Sequence, residues 1–333
     1  GVVVMNPRRV LLKDTLYGTT TFGGQTNGRG YSVSTSLNKT FASGWFANVQ
    51  GAIKQNGDFK APDYNLTNTG LKSNSFALQG GKRAFESSFE LYYSYIDNEI
   101  GILRASHLGG AQDQIRAIES TIPLTIKDFT YKINKPKQDV SHHLARLKAF
   151  KRFDNFGKLS LQYDFQKNNR LEFDIRRGDD REKPSVDLEL DTHTVLLDLE
   201  SELKDEMTLK SGLMTRYQNN FAAADTGVRR LIPDYQMYDF GMYFVVDYQW
   251  NEQLLLEAGA RYDHSYLNVF KFYRTSFWES RNYDELFPDI VVEEFDNQIL
   301  TNPQLHFYNA STTLGATYDF SETYKLFFNY SLA

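Results

Sequence analysis

The stretch Tyr238-Asp239-Phe240-Gly241-Met242-Tyr243-Phe244-Val245-Val246-Asp247-Tyr248-Gln249-Trp250 alternates with a period of two. Its even positions, Tyr238, Phe240, Met242, Phe244, Val246, Tyr248 and Trp250, are all apolar or aromatic, while the odd positions include Asp239, Gly241, Asp247 and Gln249. Successive side chains of a strand point to opposite faces, so one face here is wholly apolar. Tyr and Trp lie toward its ends and softer side chains in the middle, the distribution a lipid-facing strand requires, with aromatic groups at two interfaces and hydrocarbon between. A strand in a soluble sandwich alternates in the same way, but soluble strands usually run to about five or six residues, and this one has at least thirteen.

The same alternation recurs along nearly the whole chain. It predicts strands near 15–23, 31–39, 45–54, 72–82, 85–99, 139–153, 158–175, 188–203, 207–218, 235–250, 254–267, 305–320 and 324–332. Short turns join some of them, at Ala42 to Gly44, Arg83 to Ala84, Asp154 to Gly157, Lys204 to Glu206, Asn251 to Gln253 and Ser321 to Thr323. Between these lie longer polar loops, notably 100–138, 219–234 and 268–304. Turns on one side and loops on the other are the sidedness of an outer-membrane barrel. One helix is expected, Ala111 to Ser120, with Ile115 and Ile118 on a face packed within its loop and Pro123 as a stop. The fold class that follows is all-β, an antiparallel up-and-down transmembrane β-barrel with about 13 strands present. A closed antiparallel barrel needs an even number of strands, so the chain is expected to be part of a larger one, with residues 10–333 forming a partial barrel.

Composition agrees and excludes other classes. Aromatic residues make up 15% of the 333 residues, yet the mean hydropathy is −0.50. Alternation reconciles the two, because a half-apolar strand scores as polar on average. The longest apolar run, Met242 to Val246, is far too short for a transmembrane helix, which needs about 18 residues. Lys and Arg number 37 against 42 Asp and Glu, a net charge of −5 that offers no basic excess for nucleic acid. Cysteine is absent, which removes disulfides, thiol nucleophiles and Cys-ligated metals. Gly1 to Val10 reads GVVVMNPRRV, without the order of a signal peptide, so the chain reads as a mature piece.

Several stretches carry a resemblance. Gly1-Val2-Val3-Val4-Met5-Asn6-Pro7-Arg8 opens the chain, and Gln25-Thr26-Asn27-Gly28-Arg29-Gly30 follows. Next come Gly57-Asp58-Phe59-Lys60-Ala61-Pro62-Asp63-Tyr64 with Asn68-Thr69-Gly70, and Tyr92-Tyr93-Ser94-Tyr95 leading to Glu99-Ile100-Gly101-Ile102-Leu103-Arg104-Ala105-Ser106-His107. His142-His143-Leu144 and Phe165 to Arg177 complete the set, which spans most of the first 200 residues. Together they resemble the TonB-dependent outer-membrane receptors, particularly those of Bacteroidetes. The resemblance implies that residues 1–9 end a plug domain, and that the chain is the N-terminal part of a barrel of about 22 strands. It further implies energised uptake of a large scarce nutrient, a ferric siderophore or similar iron complex, with haem, cobalamin or a glycan as alternatives. Outer-membrane lipids, TonB acting through the missing plug segment and a surface lipoprotein would be its partners. A competing expectation is a non-transporting β-rich binding or adhesin module.

Ligand capture would fall to the long loops. Arg104, His107, Arg176 and Arg177 are candidate donors to an anionic chelate or carboxylate. Asp174, Asp179, Asp180 and Glu182 stand among the arginines of 170–183, so a charge-balanced loop network is the competing reading. Phe272, Tyr273, Trp278 and Tyr283 either close over a ligand or pack their loop upon itself. His142 and His143 point to opposite faces of one strand, and His107, His193, His264 and His306 lack metal-site spacing, so no metal and no cofactor are expected. The acidic residues of 289–298 read as a solvated loop. With no G-x-S-x-G, H-E-x-x-H or Walker A pattern, no catalytic residue is assigned and the chain is not read as an enzyme.

Overall fold

A computed structural model describes residues 13–332; the stretch 1–9, expected to end a plug domain, lies outside the described residues. In chain order the strands are β1 (Thr15–Gln25), β2 (Gly30–Thr40), β3 (Trp45–Asn56), β4 (Phe59–Lys60), β5 (Asn65–Leu66), β6 (Leu71–Arg83), β7 (Ser87–Gly101) and β8 (Lys137–Phe153). They continue as β9 (Gly157–Phe173), β10 (Val186–Lys204), β11 (Met207–Ala222), β12 (Asp234–Asn251), β13 (Leu254–Arg274), β14 (Val291–Glu294), β15 (Gln298–Thr301), β16 (Gln304–Asp319) and β17 (Lys325–Leu332). Helix α1 (Ala111–Glu119) and the short α2 (Thr275–Glu279) and α3 (Tyr283–Leu286) lie in loops.

Thirteen long strands, those expected from the alternation, form one antiparallel wall in the order β1-β2-β3-β6-β7-β8-β9-β10-β11-β12-β13-β16-β17. The wall does not close on itself; β1 pairs only with β2, and β17 only with β16. The four remaining strands are short hairpins in the loops, and one corrects an expectation. Loop 268–304 is not irregular throughout: β13 runs on to Arg274, and β15 pairs with its extension from Lys271 to Arg274.

The two faces of the wall differ as alternation requires. On the outward face one register row crosses eight strands: Tyr93, Ala145, Phe165, His193, Tyr217, Tyr238, Tyr266 and His306. Ring centroids along it stand 4.9 Å apart for Phe165 and His193, 4.9 Å for Tyr217 and Tyr238, and 4.8 Å for Tyr266 and His306. Toward the short turns this row gives way to exposed hydrocarbon such as Leu213, Phe244 and Leu314. Toward the long loops it gives way to charge, where Lys137 Nζ meets Glu99 and Asp139 at 2.8 Å each and Lys167 Nζ meets Glu189 at 2.5 Å. On β12, Tyr238 and Tyr248 are ten steps apart, about 33 Å along a strand at about 3.3 Å per residue. At a tilt of about 40° this spans about 25 Å, the height of a barrel's apolar band. A soluble sandwich would instead bury this face against a second sheet; here the long strands form a single layer, and among the described residues only seven apolar side chains, Pro136 included, are buried. No helix of the described residues is long and apolar enough to cross a membrane, so any crossing is by strands.

The inward face is a network of polar pairs. Tyr243 hydroxyl donates to Asp198 at 2.8 Å, Arg261 Nη2 to Asp263 at 2.6 Å and Lys210 Nζ to Asp247 at 2.8 Å, and Arg146 pairs with Asp164. Short turns close the opposite end. At Gly44, with φ +85°, a Cβ would lie 2.1 Å from the Arg83 carbonyl, so a side chain is excluded there on both conformation and space.

Candidate functional site

At the long-loop end the loops are tied together by a buried hub. Asp58 is 1% exposed, and its Oδ1 accepts from the backbone N–H of Asn68 at 2.7 Å and of Thr69 at 3.1 Å. Asn68, at φ +67°, donates from Nδ2 to the carbonyls of Ile102 at 2.9 Å and Pro136 at 2.7 Å, while its Oδ1 accepts from Asn134 N–H at 2.7 Å. Arg104 N–H donates to the Thr67 carbonyl at 3.0 Å. Thus the stretch Gly57 to Gly70, which carries part of the family resemblance, knots loop 57–70 to loop 102–136 and fixes where Arg104 and His107 stand.

Two cavities open among the long loops. The larger, about 1230 Å³, brings together Arg104, His107 and Arg177 with Arg116 of α1, and also admits Asp113 and Asp174. Arg104 Nη1 donates to the His107 carbonyl at 3.0 Å and His107 Nε2 lies 3.6 Å from Asp174, so its charge is mixed. Arg176 is not part of it. Its Nη1 donates to the Thr226 carbonyl at 2.6 Å and its Nη2 lies 3.2 Å from Asp180, which makes it a strut between loops. Elsewhere in 170–183 the cations also have acidic partners: Arg170 pairs with Glu172, Arg181 with Glu182 at 3.5 Å, and Lys183 with Asp180 at 2.9 Å. The Lys183 ammonium, then the Arg176 guanidinium, hold the Asp180 carboxyl below its ordinary value. Helix α1 forms where expected, but Ile115 and Ile118 do not pack within the loop; they are exposed, Ile118 at 83%. The amphipathic pattern was legible, whereas the absence of an apolar partner across the loop was not.

The second cavity, about 480 Å³, lies between loop 223–233 and the extension of β13. Phe272 and Tyr273 line it with Arg229, Arg230, Lys271 and Arg274. Trp278 and Tyr283 stand behind Tyr273 and do not line it. Trp278 is 2% exposed, with its ring 5.2 Å from those of Tyr273 and Tyr283. For these two the loop packs upon itself, which leaves Phe272 and Tyr273 facing the open space. The four cations escaped notice because none belongs to a recognised motif; the Arg229-Arg230 pair followed by aromatics and Lys271 and Arg274 is the signal that marks them.

The histidines divide similarly. His142 and His143 do point to opposite faces: His143 Nδ1 and the Tyr93 hydroxyl are hydrogen-bonded at 2.8 Å, and His142 lies 3.4 Å from Asn168. His264 and His306, 42 residues apart in sequence, are brought together by adjacent strands, with Nε2 and Nδ1 3.2 Å apart and rings stacked on Tyr308. His306 belongs to the aromatic row of the outward face and His264 to the next register level, with Phe240 and Tyr308.

A one-layer antiparallel wall with an apolar outward face, a polar inward face and two cation-lined cavities among its long loops is the architecture of a transmembrane β-barrel wall. No family model and no curated protein matches the sequence. Solved structures do match in fold. The alcaligin outer membrane receptor FauA from Bordetella pertussis is similar at 13% identity and a TM-score of 0.60, covering 96% of this chain and 43% of its own. The ferric-catecholate import receptor Fiu from E. coli K12 is similar at 11% identity and a TM-score of 0.66, covering 97% and 55%. The FrpB iron transporter from Neisseria meningitidis is similar at 12% identity and a TM-score of 0.62, covering 94% and 44%. The chain therefore spans about half the length of these neighbours, which are receptors and transporters rather than enzymes.

Proposed function

We propose that the chain forms part of the wall and the outer loops of a TonB-dependent outer-membrane receptor of the Bacteroidetes type. It captures a large, scarce nutrient, a ferric siderophore or similar iron complex, and the whole receptor imports it with energy delivered by TonB through a plug segment. The observation that carries the reading is the pairing of a wall about 25 Å tall in its apolar band with two cavities among the long loops, each lined by more than one arginine. On this reading the long loops face outside, the short turns face the periplasm, and residues 1–9 end the plug. Iron complexes are ranked first because several of the fold neighbours are receptors or transporters for iron or its chelates, beside one for a hemophore with heme and one for copper. A non-transporting adhesin would not need a polar inward face, whereas a lumen through which a polar solute passes does. A surface lipoprotein would meet the exposed apolar residues of loop 102–136, among them Ile118, Ile122 and Leu124.

The test is uptake in cells. Deleting the gene for the full-length receptor should abolish import of radiolabelled iron supplied as one ferric siderophore, and deleting TonB should do the same. Import that survives both deletions across catecholate, carboxylate and hydroxamate chelates would remove the iron reading.

A further inference from the structure

Glycines in the strands of the wall are mostly required by what lies over them. A Cβ at Gly81 would stand 2.2 Å from the Phe89 carbonyl, at Gly212 2.3 Å from the Tyr243 ring and at Gly241 2.7 Å from the Asp263 carboxylate. Gly51, in the middle of β3 on the outward face, is different. A Cβ there would meet nothing nearer than the Ser75 carbonyl at 3.9 Å, and its backbone is not left-handed. Neither space nor conformation calls for glycine at this position, and glycine inside a strand weakens it, often where a ligand comes close.

The missing side chain leaves a cavity of about 380 Å³ over Gly51, walled by Val33, Ile53, Phe76 and Tyr95, with Asn74 at its edge. Phe76 is the register neighbour of Gly51 on β6, but its ring packs toward β7, 5.8 Å from the Tyr93 ring and 5.9 Å from the Tyr95 ring, and leaves the space open. No charged side chain lines it. Along β3 the neighbours on this face, Val49 and Ile53, are exposed, so the cavity opens into the apolar band. An unfilled space forfeits dispersion contacts along its walls. Lipid tails are as apolar as these walls, so no hydrophobic drive selects the occupant; close packing and the headgroup do. On the same face of β6, Lys72 stands four residues from Phe76 toward the long loops, about 13 Å along the strand at about 3.3 Å per residue. Its cross-strand neighbour Glu99 is already paired with Lys137 at 2.8 Å. Lys72 has no ion pair and Asn74 no side-chain hydrogen bond among the described residues.

We propose that the groove over Gly51 holds one acyl chain of an anionic lipid from the leaflet on the long-loop side, with the lipid phosphate on the Lys72 ammonium and the Asn74 amide. The apolar walls fix the upper chain, and the unpaired ammonium selects a headgroup of net negative charge. The site rests on the lipid-facing wall alone; neither loop cavity and no transport step enters it.

The experiment is native mass spectrometry of the full-length protein taken from vesicles of phosphatidylglycerol, and separately of phosphatidylcholine, counting the lipids that survive exchange into detergent. Wild type should retain phosphatidylglycerol about 3- to 10-fold more than phosphatidylcholine, the range for an exposed charge contact. Gly51→Leu fills the groove and should cut phosphatidylglycerol retention about 5- to 10-fold, with a melting temperature equal to or above that of wild type. Lys72→Gln should remove the preference for phosphatidylglycerol and leave phosphatidylcholine unchanged. Val195→Ala, on the lipid face of β10, should alter neither. Equal retention in wild type and Gly51→Leu overturns the proposal, as does equal retention of the two lipids by wild type. A Gly51→Leu protein that keeps its lipid but turns from dimer to monomer assigns the groove to a second copy and overturns the lipid assignment. Should Gly51→Leu not fold, unchanged lipid preference in Lys72→Gln overturns the proposal in its place. Wild type that fails to enter vesicles sinks the wall reading itself, whereas insertion with no retained lipid sinks this site alone.

Discussion

Arg216 on β11 and Asp239 on β12 meet on the inward face of the wall, Arg216 Nε donating to Asp239 Oδ2 at 2.6 Å while Ser265 of β13 donates to Oδ1 at 2.6 Å. One carboxylate thereby joins three strands at the level where the outward face presents Tyr238 and Phe240. Asp239 is 9% exposed at its side chain and Arg216 is 41% exposed, so the guanidinium keeps much of its hydration. Asp239→Ala should therefore lower folding stability by about 1–3 kcal/mol, the range for losing hydrogen bonds to a charged group. Urea titration of the protein in lipid vesicles measures it, and an unchanged midpoint would show that the inward network contributes only to the lumen's chemistry.

Asn68 holds loops together from a left-handed backbone position that Asn tolerates better than most residues. Asn68→Ala removes three hydrogen bonds and leaves the Ile102 and Pro136 carbonyls without this donor. The expected cost is about 2–4 kcal/mol locally, seen as faster amide exchange and protease cleavage across 102–136 with the wall strands unaffected. Exchange unchanged in that loop would mean that other contacts hold it.

Lys135 joins loop 102–136 to loop 174–185, its Nζ lying 2.8 Å from Glu182 and donating to the Arg181 carbonyl at 2.5 Å. The Lys135 ammonium holds the Glu182 carboxyl below its ordinary value, with Arg181 adding to the effect. A carboxylate depressed in the folded state contributes fully above its unfolded value, about 4.3, and loses that contribution as pH falls through the folded value. Amide exchange in 131–136 should therefore quicken as pH falls below about 4.3, and Glu182→Gln should remove that part of the pH dependence, leaving the part that Asp180 contributes in 178–183. A rise in protection on acidification would contradict the sign.

Alternation made the wall legible because each face of a membrane barrel meets a different solvent, and a period of two is the direct record of that difference. Twelve of the thirteen long strands were placed to within about four residues at each end for this reason, and the start of β13 likewise. The extension of β13 to Arg274 was missed because Leu267, Asn268 and Val269 reverse the alternation, with apolar side chains on the polar face and an amide on the apolar one. The loops followed another logic. Asp58 and Asn68 were quoted only as parts of a resemblance, since a buried polar hub has no periodic signature. Of the arginines singled out, Arg104 and Arg177 share a cavity whereas Arg176 spans to Thr226, fifty residues away, a contact set by loop packing that no local pattern encodes. His264 and His306 met for the same reason: register between strands, invisible in spacing along the chain, decides neighbours across a sheet.

The central claim is that the wall separates lipid from a polar lumen, and the absence of cysteine from the chain permits the most direct measurement of it. Single cysteines placed in turn from Tyr238 to Trp250, in the full-length protein reconstituted in lipid vesicles, are offered a charged thiol reagent in water and a lipid-soluble one. Labelling should alternate with a period of two, Met242, Phe244 and Val246 reacting from the lipid and Gly241, Tyr243 and Asp247 from the water. Labelling by the charged reagent at Phe244 as readily as at Tyr243 would contradict the membrane-wall account.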